Sequence, residues 1–490
     1  MSVVVVGNGM AGSRFVTELR TRDPKIPITV FGAERQQAYN RVLLSNVLAG
    51  VTRPDHIGLV DPSWYAAHDV EAHFGVEVVR IDREAGLVHA SDGSATPYDT
   101  LVLATGSTAF VPPIPVEGSD LTAARRLPEG ALVFRTLDDC REIAAAADDA
   151  RRAVVVGGGL LGIEAARGLV GRGLDVTVLH LAGHLMERQL DPSASKVLVR
   201  TLDRLNIRTR LQANVAGLTT GPGGRVSGVE LALPGGGSER VEADLVILSC
   251  GVRPETGLAR DAGLSVGRGV IVDDELRSVT DPRVRAIGEC SEHRDEIYGL
   301  VAPAWEQAGV LAGLLAGTEP DARFTGSRQI TRLKATGIEL ASMGETHWED
   351  DDEDVEVVQF ADSARGTYKK AVIRDGRLIG AILLGETGTA GTLTQLYDHE
   401  SPLPADRLSL LFHGIGASPE AASPVRIPDA ATICHCNNVT KGQIRACWQR
   451  GARTTDEVSR QTRAATGCGS CRDAVEGIVS WLDEQDSVTV

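Results

Sequence analysis

Two pairs of thiols and two glycine-rich turns carry the chemistry open to this chain. Cys434-His435-Cys436 is followed, 31 residues later, by Cys468-Gly469-Ser470-Cys471. Four soft thiolates set as two close pairs suit either tetrahedral zinc or an iron–sulfur centre. Lys441, Arg445, Arg450 and Arg472 offer positive charge to offset them, and Gly467 and Gly469 free the backbone to aim N–H groups at sulfur. The glycine turns are Gly7-x-Gly9-x-x-Gly12 and Gly157-x-Gly159-x-x-Gly162. Each permits a tight turn, lets a pyrophosphate approach the backbone and lets the following helix pack close, so each points to one dinucleotide.

Elements of the required type flank both turns. Val3 to Val6 reads as a buried strand, and Phe15, Val16 and Leu19 mark the apolar face of a helix; Ala153 to Val156 and Ile163 to Leu169 repeat that order. Ile28 to Phe31 ends near Glu34, about 20 residues past the glycines, where a carboxylate accepts ribose hydroxyls. In the second unit the strand Val176 to His180 ends without that acid. His180, with His184 and Arg188 behind it, tolerates a 2′-phosphate that an acid would repel, which leaves NADPH and NADH both open. A strand-end histidine touching no ligand fits the residues equally well. Arg41 stands either toward a flavin and its phosphates or on the surface. The strands closing at Thr105-Gly106 and at Gly288-Glu289 end in small residues that let backbone approach a cofactor, and Glu289 is suited to accept ribityl hydroxyls.

A flavin and a nicotinamide nucleotide are the natural pair for two such cradles, because hydride passes from one ring to the other. That transfer needs orientation more than proton movement, so no catalytic residue is expected. By spacing alone zinc is the commoner occupant of the thiols. A flavin takes up two electrons as hydride, however, and a one-electron cluster beside it has a use that structural zinc lacks, which favours one [2Fe–2S] cluster. Residues 13 to 139 contain no cysteine, so dithiol and peroxidase chemistry are not expected. Cys140, Cys250, Cys290 and Cys447 read as packed thiols.

At 490 residues the chain is too long for one core. A net charge of −16 argues against nucleic acid and against anionic membranes as partners. No apolar run approaches the length of a membrane span, and Met1 abuts the first strand without room for a signal peptide, so a cytoplasmic location is expected. The fold class is α/β, with two Rossmann-like dinucleotide-binding domains. The expected division is a first flavin part over 1–118, a nicotinamide-nucleotide domain over 119–242 and a second flavin part over 243–320. A small α+β domain over 321–400, a Pro-rich linker over 401–429 and a helical cysteine module over 430–485 follow.

VVVVGNGMAG, YNRVLLS, VVGGGLLGIEAA, HLMERQLD, AIGEC and ICHCNNVTKG…TGCGSC, in that order, resemble the large-subunit family of assimilatory NAD(P)H nitrite reductase. They also resemble the related electron-transfer subunit of assimilatory nitrate reductase. The resemblance covers the whole chain, and the cysteine module is similar to the bacterioferritin-associated-ferredoxin (BFD) type of [2Fe–2S] domain. It implies an FAD held by Gly7, Gly9, Met10, Ala11, Gly12, Glu34, Arg41, Thr105, Gly106, Gly288 and Glu289, with Val79 and Arg135 as weaker carry-overs. NAD(P)H would lie on Gly157, Gly159, Leu160 and Gly162, with Glu164 near the ring, and the cluster on Cys434, Cys436, Cys468 and Cys471. The sequence stops at Val490, before any sirohaem and [4Fe–4S] portion, so nitrite reduction by this chain alone is not expected. The expected recipient of its electrons is a partner protein, the molybdenum-bearing catalytic subunit of assimilatory nitrate reductase. A rubredoxin- or ferredoxin-type reductase, or a reductase carrying a zinc-bound interaction module, is the alternative.

Overall fold

The computed structural model describes residues 1–117, 127–349, 352–412, 427–434, 437, 439–466 and 471–488. Val3–Val6 is buried along its length and lies between two parallel neighbours, with Val3 opposite both Ile28 and Thr100. Four consecutive valines suit that place because both faces of a central parallel strand are covered. In spatial order the first sheet runs Val284–Ala286, Thr100–Leu103, Val3–Val6, Ile28–Gly32, Val70–Phe74, all parallel. Helix Met10–Arg22 leaves the central strand and packs against Val301–Ala316, whose Ala308, Ala312 and Gly313 allow close approach.

The second sheet repeats the plan, in the order Ile207–Arg210, Asp175–Leu179, Arg152–Val156, Leu245–Leu248, Ala131–Val133. Helix Pro192–Arg204 starts where the Asp-Pro pair predicts, the Asp191 carboxylate accepting the Ala194 N–H at 2.8 Å. Residues 214–242 form a three-stranded antiparallel sheet joined by glycine turns. Among the described residues no helix is long and apolar enough to cross a membrane.

A five-stranded antiparallel sheet follows, in the order Ile330–Ala335, Ile338–Gly344, Arg377–Leu384, Thr367–Arg374, Glu356–Asp362, with helix Ala390–Asp398 against it. Its first strand buries the alternate residues Thr331, Leu333 and Ala335. Leu410 and Leu411 are buried against this sheet, while residues 413–426 of the expected linker lie outside the described residues. The C-terminal module joins a short hairpin, Thr432–Cys434 with Val439–Thr440, to helices Lys441–Gln449, Thr455–Thr462 and Arg472–Val488. Thr440 with Gln443, and Thr454 with Glu457, form reciprocal capping boxes, as the threonines suggest.

One buried ion pair ties the third domain to the second sheet. The second Asp191 oxygen accepts from Lys370 Nζ at 2.9 Å and from the Tyr368 hydroxyl at 2.7 Å, and all three side chains are buried. Removing the ammonium strands a buried carboxylate, a loss of about 3 kcal/mol. Lys370→Met is expected to lower the denaturation midpoint accordingly, and Lys370→Met with Asp191→Asn to recover part of the loss. Equal midpoints for Lys370→Met and the native chain would contradict this account.

Candidate functional site

Both glycine turns open into one cavity of 1730 Å³. At the first, Gly7 has φ +110°, and a Cβ there would sit 2.1 Å from the Ala104 oxygen; a Cβ on Gly12 would sit 2.0 Å from the Gly7 oxygen. Only hydrogen fits, and the close packing aims the helix start at the cavity. Gly9 meets nothing within 4 Å, and no side chain caps the helix, so its first N–H groups face open space. An uncapped N-terminus beside an open glycine fits a pyrophosphate. The second turn repeats each feature. Cβ atoms on Gly157 and Gly162 would sit 2.1 Å from the Ser249 oxygen and 2.0 Å from the Gly157 oxygen, Gly159 is open, and helix Leu160–Gly171 is uncapped. Met10, Ala11, Leu160 and Glu164 line the cavity from these two helix starts.

Arg41, which the residues alone left between cofactor and surface, lines the cavity, ion-paired with Glu34 and donating to the Arg135 carbonyl at 3.3 Å. The Tyr39 hydroxyl donates to the other Glu34 oxygen at 2.7 Å and accepts the Leu137 N–H at 3.0 Å. Burial pushes the Tyr39 phenol well above its ordinary value, so it stays a donor. On the opposite wall Glu289 Oε2 accepts from Arg135 Nη2 and from Ser107 Oγ, each at 2.5 Å. Gly288, at φ +76°, donates its N–H to Gln307 Oε1 at 2.7 Å, and a Cβ there would come 2.8 Å from the Ala11 methyl. Thr105 Oγ1 donates to the Glu255 carbonyl at 2.8 Å, and Gly106 takes φ +71° as the chain crosses toward the second sheet. Val79 stands on the cavity wall 57% exposed. His180 is buried at its strand end and receives the Gly158 N–H on Nδ1.

Sequence reasoning missed Tyr39 and Ser107 as partners of the two acids, and missed the third domain's share of the wall through Ser327, Met343 and Tyr397. The Ser107 contact and the third domain's share join segments far apart in the chain, whereas Tyr39 lies five residues from Glu34 in a loop whose fold no periodicity signals. Cys250 packs as expected but also reaches the cavity. Cys140, Cys290 and Cys447 are buried as predicted, whereas Cys250 is half-buried and lines the cavity, its Sγ donating to the Val156 carbonyl at 3.5 Å.

In the C-terminal module Cys434 ends the hairpin strand and Cys471 precedes the last helix, both buried; Cys436 and Cys468, with Gly467 and Gly469, lie outside the described residues. The Asn437 amide, next to Cys436, donates to the Arg463 carbonyl at 2.6 Å and to Thr466 Oγ1 at 3.2 Å, tying the two cysteine segments together. Cys434 and Cys471, one from each segment, are soft donors of the kind that suits an iron–sulfur cluster. Among the surrounding cations, Arg445 pairs with Asp429, Arg472 with Asp456 at 2.8 Å, and Lys441 donates to the Ile427 carbonyl at 2.7 Å. The Arg463 guanidinium reaches out of the module to the Gly58 and Leu59 carbonyls of the first domain. Beside that clamp a 340 Å³ cavity is walled by Met10 and Trp305 on one side and Asn437 and Arg450 on the other, with Trp305 Nε1 donating to the Met10 carbonyl at 3.1 Å.

Burial pushes the Cys250 thiol up to about 11, so at neutral pH it is protonated and a poor nucleophile. Iodoacetamide labelling at Cys250, followed by peptide mass spectrometry, should be slow at pH 7 and rise with pH toward 11; fast labelling at pH 7 would contradict this. Arg463→Ala should raise hydrogen exchange at residues 58–60 several-fold, while exposed Arg460→Ala leaves it as it is. Unchanged exchange in Arg463→Ala would mean the clamp does not hold the module.

Residues 1–308 match the pyridine nucleotide-disulphide oxidoreductase family, residues 330–400 the rubredoxin NAD+ reductase C-terminal domain and residues 432–481 the BFD-like [2Fe-2S] binding domain. The last match favours a cluster over zinc. The chain is 37% identical over 479 residues to a nitrite reductase [NAD(P)H] of Bacillus subtilis (strain 168), covering 97% of this chain and 57% of the relative. It is 35% identical over 488 residues to the assimilatory nitrate reductase electron transfer subunit of the same organism, covering 99% of this chain and 60% of the relative. It thus spans little more than half the length of these relatives. Among solved structures, the putidaredoxin reductase–putidaredoxin complex superposes with a TM-score of 0.70 at 26% identity, covering 81% of this chain and 93% of that one. Two uncapped glycine cradles facing one cavity and the extent of these matches lead to one conclusion: the chain belongs to the pyridine nucleotide-disulphide oxidoreductase family, as a flavin- and NAD(P)H-linked oxidoreductase with a BFD-like [2Fe–2S] domain.

Proposed function

We propose that the chain takes hydride from NAD(P)H and delivers electrons singly to a partner protein, the molybdenum-bearing catalytic subunit of an assimilatory nitrate reductase. The observation that carries this reading is the joining of two dinucleotide cradles in one cavity to a thiolate module clamped on the first cradle's domain. When bound, the flavin accepts hydride and the cluster exchanges single electrons. The protein's part is to hold and orient. Gly7, Gly9 and Gly12, with the N–H groups after them, would take the flavin pyrophosphate. Glu34 and Glu289 would accept sugar and ribityl hydroxyls, with Arg41 and Arg135 balancing their charge. Gly157, Gly159 and Gly162 would seat the nucleotide with Glu164 on the same helix, and Cys434, Cys436, Cys468 and Cys471 would hold the cluster. The likeness of this chain to a nitrate reductase electron transfer subunit supports the choice of partner.

The rubredoxin-reductase-like third domain favours a second reading, in which a small electron carrier is the acceptor. Cys434→Ser should lose iron and acid-labile sulfide, keep NAD(P)H-driven ferricyanide reduction, and fail to support nitrate reduction by an added catalytic subunit. Retained nitrate reduction without iron would overturn the proposed electron order. Rapid reduction of an added rubredoxin, with none of the nitrate reductase, would favour the second reading.

A further inference from the structure

The second cradle lacks the acid that ends the neighbouring strand in a strict NAD site, and His180 occupies the position. The ring is 7% exposed, and its Nδ1 accepts the Gly158 N–H at 3.0 Å. A ring nitrogen accepting a backbone N–H carries no proton, so the ring proton sits on Nε2. Nε2 is buried and 3.1 Å from Glu187 Oε2, close to the carboxylate but without hydrogen-bond geometry. It is thus a buried donor beside a carboxylate on the cavity wall.

The backbone delivers that carboxylate. Met186 takes φ +52°, its N–H donates to the Gly158 carbonyl at 3.1 Å, and its own carbonyl accepts the Gln189 and Leu190 N–H groups at 2.8 and 2.9 Å. Gly158 therefore grips both pieces, His180 by its N–H and the Met186 turn by its carbonyl. No side chain fits there, since a Cβ would fall 2.4 Å from Leu185 Cδ2 and 2.9 Å from His180 Cγ. The residue between the first two glycines, which the fingerprint leaves unspecified, fixes where Glu187 stands.

We propose that Glu187 reads the 2′ position of the nucleotide's adenosine ribose, with His180 as its positioning residue, and that the chain selects NADH over NADPH. A carboxylate accepts the ribose hydroxyls and repels a 2′-phosphate, whichever segment supplies it. Arg188, the adjacent cation on the cavity wall, is the competing reader and would favour NADPH. The inference rests on the family's use of NAD(P)H and is independent of which protein receives the electrons.

The test uses the full flavin-loaded chain with ferricyanide as acceptor, comparing kcat/KM for NADH and NADPH, and titration calorimetry with NAD+ and NADP+. The native chain should prefer NADH. Glu187→Gln should lower the NADH-to-NADPH ratio about ten-fold, the worth of one charge-assisted hydrogen bond, through KM and the NAD+ Kd. Glu187→Arg should invert the preference, and His180→Ala should shift the ratio the same way by less. A Glu187→Gln ratio equal to the native one overturns the proposal. So does equal native use of both nucleotides, or a native NADPH preference abolished by Arg188→Ala.

Discussion

At two places in this protein a helix must touch the strand that precedes it, backbone on backbone, and the rest of the architecture follows from them. Gly12 lies against the Gly7 carbonyl and Gly162 against the Gly157 carbonyl, at separations where no carbon fits. A side chain at either point would lift the helix, and its uncapped N–H groups would no longer face the cavity. An anion satisfies several such orphan donors at once, which supports the proposal that the two turns seat the two pyrophosphates.

Two acids facing the cavity carry cationic and hydroxyl partners. Glu34 has Arg41 and the Tyr39 hydroxyl, and Glu289 has Arg135 and Ser107. A half-buried wall carrying unpaired carboxylates would cost stability and shift their protonation. Paired, the acids are held and oriented, available to accept hydroxyls. The same economy appears at the domain joints. Asp191 caps one helix and anchors Lys370 and Tyr368 of the third domain, while Arg463 spans from the cysteine module to two carbonyls of the first. Each joint uses one side chain to satisfy several groups, which makes it specific to one relative placement.

Much of this was legible before any coordinates. The strand–glycine–helix order at both cradles, the Asp-Pro helix start, the two threonine caps and the thiol pairs are local patterns. Local patterns are governed by backbone geometry and hydrogen-bond bookkeeping within a few residues. What the residues left unsaid shares a cause as well: Arg445 and Arg472 each pair with an acid, and Cys250, read as a packed thiol, packs beside the second sheet and also lines the cavity. Charge and hydrophobicity along the chain do not say which neighbour a side chain meets.

The sequence by itself determined that two dinucleotides and a thiolate-bound centre belong to this chain, because glycine spacing and thiol spacing express constraints that act over a single turn. Tertiary structure alone decided that both cradles share one cavity, that Arg41 faces inward and that the third domain helps wall it. It also decided that the carboxylate beside His180 comes from Glu187 rather than from the strand end. Those outcomes turn on distances between segments tens to hundreds of residues apart, or on how Gly158 holds two segments in register. Packing sets such distances, and no periodicity in the chain encodes them.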